Sequence, residues 1–326
     1  MATTAGEALL AYLREQVSEL RHRAPGVLAG QPEDVHQMRV AARRLRSLLT
    51  TGRPLFDDGA VEPLRDELRW LSGLLGAARD PVVVHERLAA LLAQEPEALR
   101  FGPAAARIDE ELDALAAAGF QSAIEALGSE RYDLLLAALE KFLAHAPLSP
   151  AAARDPGTGI AKLVAKDERR LRRAAAGLAP HSDDGKNDGK NEGEVGGPDD
   201  GKNARDAGLH EVRKAAKRLR YSAELAASLP NEPGGGRAGK KFGKKAAKKH
   251  RQRAKQSAKS ARRIQQLLGL HQDSVVARAR LAELGGRALR SGENGFSYGR
   301  LHAKEEALAA AAERAFLKLW KKFPPS

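Results

Sequence analysis

The stretch VHQMRVAARRLRSLL, residues 35–49, is the part of the sequence that says most about the fold. On a helix of about 3.6 residues per turn, its apolar residues share one side. They are Met38, Ala42, Leu45 and Leu49. The opposite side, with Arg44 flanking it, carries a stripe of His36, Arg39, Arg43 and Arg46. Because guanidinium groups on neighbouring turns repel one another, the pattern favours a polyanion lying along the stripe.

The same pattern occurs again in LHEVRKAAKRLRYSA, residues 209–223. The second stripe has identical spacing and comprises His210, Arg213, Lys217, Arg218 and Arg220, with Lys214 beside it. LLGAARDPVVVHERL at 74–88 is likewise echoed by LLGLHQDSVVARARL at 267–281. Two matches in the same order predict an internal duplication, with halves at residues 1–150 and 151–326.

The composition narrows the possible partners and compartment. The net charge of +13 favours an anionic partner, and 4 % aromatic residues are few for a protein that stacks nucleic-acid bases. Without cysteine there are no disulfides or thiolate metal sites, which fits a reducing compartment. The sequence contains neither a signal peptide nor an apolar run that would span a membrane. We therefore expect a soluble, cytoplasmic protein without membrane partners.

The hydrophobic periodicity predicts an all-α fold. Predicted helices cover 5–23, 33–51, 61–76, 81–94, 104–118, 130–144, 159–176, 206–229, 241–268, 274–285 and 303–322. Asp80 before Pro81, and Asp273 before Ser274, are predicted to cap helices that begin there. A joint is expected at 146–158, and the acidic, glycine-rich segment 181–208, with its DGKN repeats, is expected to be disordered.

Further basic residues are candidates for the same surface. IAKLVAKDERRLRR supplies Lys162, Lys166, Arg169, Arg170 and Arg173. Arg69 and Arg262 coincide when the two LLG motifs are aligned, and Lys259 precedes the second. The run at 240–263 is basic nearly all round, which is also typical of a nucleic-acid-binding helix.

The two histidines that open the stripes lack the partners of a nucleophile or metal ligand. His36 and His210 are therefore expected either to donate a hydrogen bond to phosphate or to pack partly buried. The sequence predicts no catalytic residue, metal or cofactor.

Together, VHQMRVAARRLRSLL, LRWLSGLLGAARDPVVV, LHEVRKAAKRLRYSAE and IQQLLGLHQDSVVARARL resemble the CHAD domain, the "conserved histidine α-helical domain", over about residues 5–322. The resemblance implies two pseudo-symmetric antiparallel helical bundles enclosing a basic central groove. It further implies inorganic polyphosphate as the ligand and recruitment to polyphosphate granules in bacteria. Granule-associated proteins are then expected as further partners. The two signature helices, 35–49 and 209–223, match the family motif by position.

Three functions follow from these observations. The first is non-catalytic polyphosphate binding, since a polymer without bases needs no aromatic stacking. The alternative is a nucleic-acid-binding protein that uses the helix at 240–263. Weak binding of nucleic acid is also expected beside polyphosphate binding. The third is phosphohydrolysis, disfavoured because clustered carboxylates suited to Mg²⁺ are missing. The E-x-E-x-K motif of the triphosphate-tunnel enzymes that precede some CHAD domains is also missing, so we do not expect an enzyme.

Overall fold

A computed structural model describes residues 4–178, 198–229 and 240–323, with side chains for all of these except 198–201 and 240–247. The described part is helical apart from short turns and one isolated β-bridge, which confirms the predicted all-α fold. Its long helices are α1 (Ala5–Leu28), α2 (Pro32–Gly52), α3 (Glu62–Ala93), α4 (Ala104–Leu127), α5 (Glu130–Ala144), α6 (Pro156–Ala176), α7 (Pro198–Ser228), α8 (Lys240–Arg290) and α9 (Phe296–Trp320). Within these segments, no helix is long and apolar enough to cross a membrane.

Two predicted helix breaks are wrong. Helix α3 runs on through Pro81, and α8 continues past Ser274, so Asp80 and Asp273 lie inside helices and cap nothing. Pro81 has no N–H for the carbonyl of Ala77. At that carbonyl α4 comes so close that a Cβ on Gly119 would lie 2.3 Å from the oxygen. Tertiary packing therefore carries α3 across a proline that local signals interpret as a start.

The prediction of disorder over 181–208 is wrong in its last part. Helix α7 begins at Pro198, so residues 198–208 are helical rather than disordered. The buried Arg205 guanidinium donates to the Glu313 carboxylate of α9, with 2.7 Å between Nε and Oε1. The preceding residues of the segment, to 197, lie outside the described part of the chain.

Three hydrophobic clusters hold the helices together. The first joins α1, α2, α5 and the first half of α3, and also takes Ile160 and Leu163 from α6. The second joins α6 and α7 with the middle of α8 and the end of α9. The third joins the C-terminal parts of α3 and α8 to the N-terminal parts of α4 and α9. The predicted apolar faces are confirmed as core, because each of Met38, Ala42, Leu45, Leu49, Val212, Ala216 and Leu219 is at most 1 % exposed.

A buried ion pair ties α3 to α9 beside the third cluster. The Arg87 guanidinium donates two hydrogen bonds to the Glu305 carboxylate, at 2.6 and 2.7 Å, and Glu305 is 0 % exposed. Ser274 Oγ of α8 donates to the Glu305 carbonyl at 2.6 Å. Both carboxylate oxygens are thus paired, which a buried charge requires.

Candidate functional site: a cationic cluster between two helices

The centre of the site lies where α2 and α7 pack side by side. Lys217 of α7 is partly buried and has Arg43, Arg213, Arg46 and Arg39 as its charged neighbours. Burial, and secondarily these four positive charges, lower the pKa of Lys217 to about 7. We call these five residues the central cationic cluster. It brings together three of the predicted side chains of the first stripe and two of the second.

One end of the cluster carries a pair of aspartates. Arg39 Nη1 donates to Asp80 Oδ1 at 2.6 Å, and Asp273 is the principal acidic neighbour of Arg213. Burial raises the pKa of Asp273, while the positive charge of Arg213 opposes that rise. Asp80 and Asp273 also sense each other's charge, so the two acids lie at the same end.

The glycine of each LLG motif lies against one of these arginines. A Cβ on Gly76 would lie 3.9 Å from Arg39 Nη2, and a Cβ on Gly269 would lie 3.8 Å from Arg213 Nη2. The motif LLG-x-x-x-D thus provides a flat stretch of helix for the guanidinium. On the α3 side, the acid that receives it follows one turn later. Gly76 and Gly269, at matched positions in the sequence, thus have matched arginine neighbours.

The other end of the cluster is crowded with cations. Burial lowers the pKa of Arg46, and the charges of Arg69, Arg65 and Arg218 lower it further. Arg218, from α7, has Arg170 of α6 as its strongest cationic neighbour. The α3 arginines are partly offset, since Arg69 donates to Asp66 at 2.7 Å and the ion pair of Arg65 with Glu62 spans 3.6 Å.

Two residues of the predicted stripes are held by an acid instead. Arg220 Nε donates to Glu224 Oε1 at 2.7 Å, and Arg44 Nη2 lies 3.4 Å from Glu224 Oε2. Both guanidinium groups also stack near the Tyr221 ring, with 5.3 and 5.5 Å from Cζ to the ring centre. Arg44 and Arg220 therefore join α2 to α7 and have less charge free for a ligand.

The two signature histidines differ in their neighbours. Burial lowers the pKa of His36, and Arg79, Arg43 and Arg39 act in the same direction against Glu33. His210 Nδ1 is 2.7 Å from Gln272 Oε1. Arg79 and Gln272 occupy matched places before the two aspartates. Both histidines are partly buried beside the stripes, which leaves both predicted roles open.

Helix α6 contributes one predicted residue, Arg170, to the surroundings of the central cationic cluster. Its buried face includes Asp167, which accepts hydrogen bonds from Thr51 Oγ1 and Arg170 Nη1, each at 2.8 Å. The other predicted α6 residues are exposed, on the side of the helix opposite to its buried face. These are Lys162, Lys166, Arg169 and Arg173.

The remaining predicted residues lie on α7 and α8. Lys214 donates to Glu211 at 2.7 Å. Lys259 and Arg262 are exposed, and Arg262 lies seven residues before Gly269, on the same face of α8. Lys248 and Lys249 are exposed nearer the start of this helix.

The prediction missed four residues that shape the site. Arg65 was recognisable from its i, i+4 spacing to Arg69, and Asp80 and Asp273 from their fixed distance to the LLG motif. Asp167 was recognisable from its place on the same helical face as Val164 and Leu171, although it stands within a basic run. Within the described residues, no group of three or more histidine or acidic side chains is arranged so that it could hold a metal ion.

Solved structures share this architecture. PptA from Streptomyces chartreusis superposes with a TM-score of 0.72 at 25 % identity, covering 98 % of this chain and 99 % of that one. The CHAD domain of the plant Ricinus communis gives a TM-score of 0.69 at 24 % identity, covering 98 % and 93 %. The helical arrangement is therefore shared along almost the full length.

Sequence comparison gives the family. Two uncharacterised proteins of Mycobacterium tuberculosis, from strains CDC 1551 and H37Rv, are each 33 % identical over 299 residues, which is 90 % of this chain. This chain spans about half, 49 %, of the length of those curated relatives. The family model of the CHAD domain matches residues 11–282. With the helical architecture and both signature helices in place, the chain belongs to the CHAD domain family.

Proposed function

We propose that this protein binds inorganic polyphosphate, without chemical turnover, at the central cationic cluster. The observation that carries the proposal is Lys217, a partly buried amine surrounded by four arginines. Holding these charges together destabilises the folded chain, and a polyanion would relieve that repulsion.

The chemistry of the side chains fits phosphate oxygens. The planar fork of arginine can hold two oxygens at once, and lysine adds a point charge. Arg43, Arg46 and Lys217 supply these groups at the centre, while Arg65, Arg69 and Arg218 extend the positive surface at one end. Since 4 % of residues are aromatic, little is available for stacking bases.

Binding of a polyanion to such a cluster releases counterions, so affinity should fall steeply with salt. By the same proposal, the protein would be cytoplasmic and would associate with polyphosphate granules. Granule-associated proteins would then be secondary partners. Nucleic acid would compete weakly, through exposed lysines of α8 such as Lys248 and Lys249.

The test is a calorimetric titration with long-chain polyphosphate and with duplex DNA at two salt concentrations. It compares the wild type with Arg43→Ala/Lys217→Ala and with the charge-matched control Lys248→Ala/Lys249→Ala. We expect the first variant to lose at least about tenfold in polyphosphate affinity, while the control stays close to the wild type.

Three results would overturn the proposal. Equal losses in both variants would mean that only net charge matters. Equal affinity for DNA and polyphosphate would favour the nucleic-acid alternative if both affinities fall in the Lys248→Ala/Lys249→Ala variant. Release of phosphate from polyphosphate on adding Mg²⁺ or Mn²⁺ would instead indicate an enzyme.

A further inference from the structure

The cationic cluster is closed at its aspartate end by the protein itself. One turn beyond Asp80, Val84 of α3 enters the third hydrophobic cluster, and one turn beyond Asp273, Ala277 of α8 enters the same cluster. Helices α3 and α8, which flank α2 and α7, are in contact with each other. A polymer lying along the stripes therefore meets packed helices immediately past the two acids.

The charges change along the same direction. At the closed end Arg39 is paired with Asp80, and Asp273 faces Arg213. The side chain of Asp80 is 58 % exposed, so a chain leaving sideways over α3 would pass a carboxylate. At the opposite end Arg46 faces three further arginines. Acids matched by arginines thus mark one end, whereas at the other end Asp66 and Glu62 offset the positive charge only in part.

The distance available is short. Arg39 and Arg46 are two helical turns apart, which places them about 10 Å from each other along α2. The equivalent residues of α7 run alongside in the same direction, because Arg213 senses Arg39 and Arg43 whereas Arg218 senses Arg65 and lies near Arg46. The cluster is therefore a short track with one blocked end.

We propose that the cluster binds the end of a polyphosphate chain rather than its middle. The terminal phosphate lies near Arg39 and Arg213, where Asp80 and Asp273 stop further advance. The following phosphates contact Arg43 and Lys217, and the chain leaves past Arg46. This inference rests on the proposed function, since it specifies which part of the same ligand the same residues accept.

The first test is stoichiometry against chain length. Polyphosphate fractions of short, medium and long mean length are titrated with the full-length protein at fixed salt. End binding predicts at most two proteins per chain at every length, one for each terminus. Binding along the chain predicts that the number of proteins per chain grows in proportion to length, and this result would overturn the proposal.

The second test blocks the termini. Both terminal phosphates are converted to phosphoramidates of a bulky amine, and affinity is compared with that of the unmodified polymer. We expect a loss of about tenfold or more, since the blocked end would clash with the contact between α3 and α8. Unchanged affinity would contradict end binding. The double variant Arg43→Ala/Lys217→Ala separates the two proposals. If it still binds unmodified polymer more weakly than the wild type while blocked termini change nothing, end binding fails and the proposed function stands.

Discussion

Arg46 of α2 and Arg220 of α7 occupy the same position in the two signature helices, yet their surroundings differ. Four residues after Arg220, Glu224 accepts its Nε hydrogen at 2.7 Å. Four residues after Arg46 stands Thr50, whose hydroxyl donates to the Arg46 backbone carbonyl at 2.8 Å and leaves the guanidinium without that partner. Arg46 instead faces Arg69, Arg65 and Arg218.

A repeated basic motif therefore does not give two equal binding surfaces. One acidic substitution within a single turn decides whether a guanidinium holds the fold together or remains for a ligand. Arg43 and Lys217 form a second unequal pair at equivalent positions, because only the lysine can lose its proton near neutral pH.

The largest effect should come from that second pair. Polyphosphate binding favours protonated Lys217, so above its pKa of about 7 each bound complex must take up a proton. We expect wild-type affinity to fall by nearly a decade per pH unit above that value, over about two units. Lys217→Arg, which stays charged, should abolish this slope.

Calorimetry in buffers of different ionisation enthalpy measures the proton uptake directly. Any titration of the terminal phosphates contributes equally to wild type and variant. The same pH slope in both proteins would show that Lys217 is not the titrating group.

The next effect is a difference in polyphosphate affinity between variants of Arg46 and of Arg220. Arg46→Ala should weaken polyphosphate binding by about tenfold, because it removes a charge without an acidic partner. Arg220→Ala should change affinity by less than about twofold and should instead lower the melting temperature, since it leaves Glu224 with a weakened network. Fluorescence titration and thermal unfolding of both variants check this, and equal affinity losses would erase the contrast.

A third prediction concerns stability alone. Between pH 7 and 10.5 the unfolded chain keeps a proton on Lys217 that the folded chain gives up. Wild-type stability should therefore rise with pH across this window. Lys217→Met should remove that rise and increase the free energy of unfolding at neutral pH by about 1 kcal/mol. Urea unfolding at several pH values measures both, and a destabilised variant would contradict the cost assigned to this amine.

The smallest effect comes from making the halves alike. Thr50→Glu gives Arg46 the i+4 acid that Arg220 has. We expect polyphosphate affinity to fall by about threefold as Arg46 becomes paired. Thr50→Gln, which has the same shape without the charge, serves as control and should bind like the wild type in the same titration.

The apolar faces and helical class were predictable because they depend on local periodicity. Met38 and Leu45 were expected to be buried, and they are. The continuity of α3 was not predictable, since it depends on the close approach of Gly119 to the turn before Pro81. Capping propensity and tertiary packing gave opposite answers there, and packing prevailed.

For the site, sequence spacing identified the residues of α2 and α7 that form the central cationic cluster, including Arg39, Arg43 and Lys217. It did not separate available cations from paired ones: Glu224 is a local partner of Arg220, four residues away, but its contact with Arg44 of α2 depends on tertiary packing. It also assigned Asp80 and Asp273 to local capping, when their partners are arginines on the neighbouring helices. Pairing across helices is the information that one sequence does not carry.

The Arg87–Glu305 pair has a consequence for how this chain reaches its native state. The partners are 218 residues apart, so the pair forms only after the chain has been made as far as Glu305. A fragment that ends near residue 150, at the predicted joint, would leave Arg87 without its carboxylate, and the remaining fragment would bury Glu305 as an uncompensated charge. Contacts between residues so far apart in sequence slow folding, because the entropy of closing the loop is lost before they form. Two separately expressed fragments should therefore regain structure only by complementing one another, and the repeat-like sequence folds as a single unit.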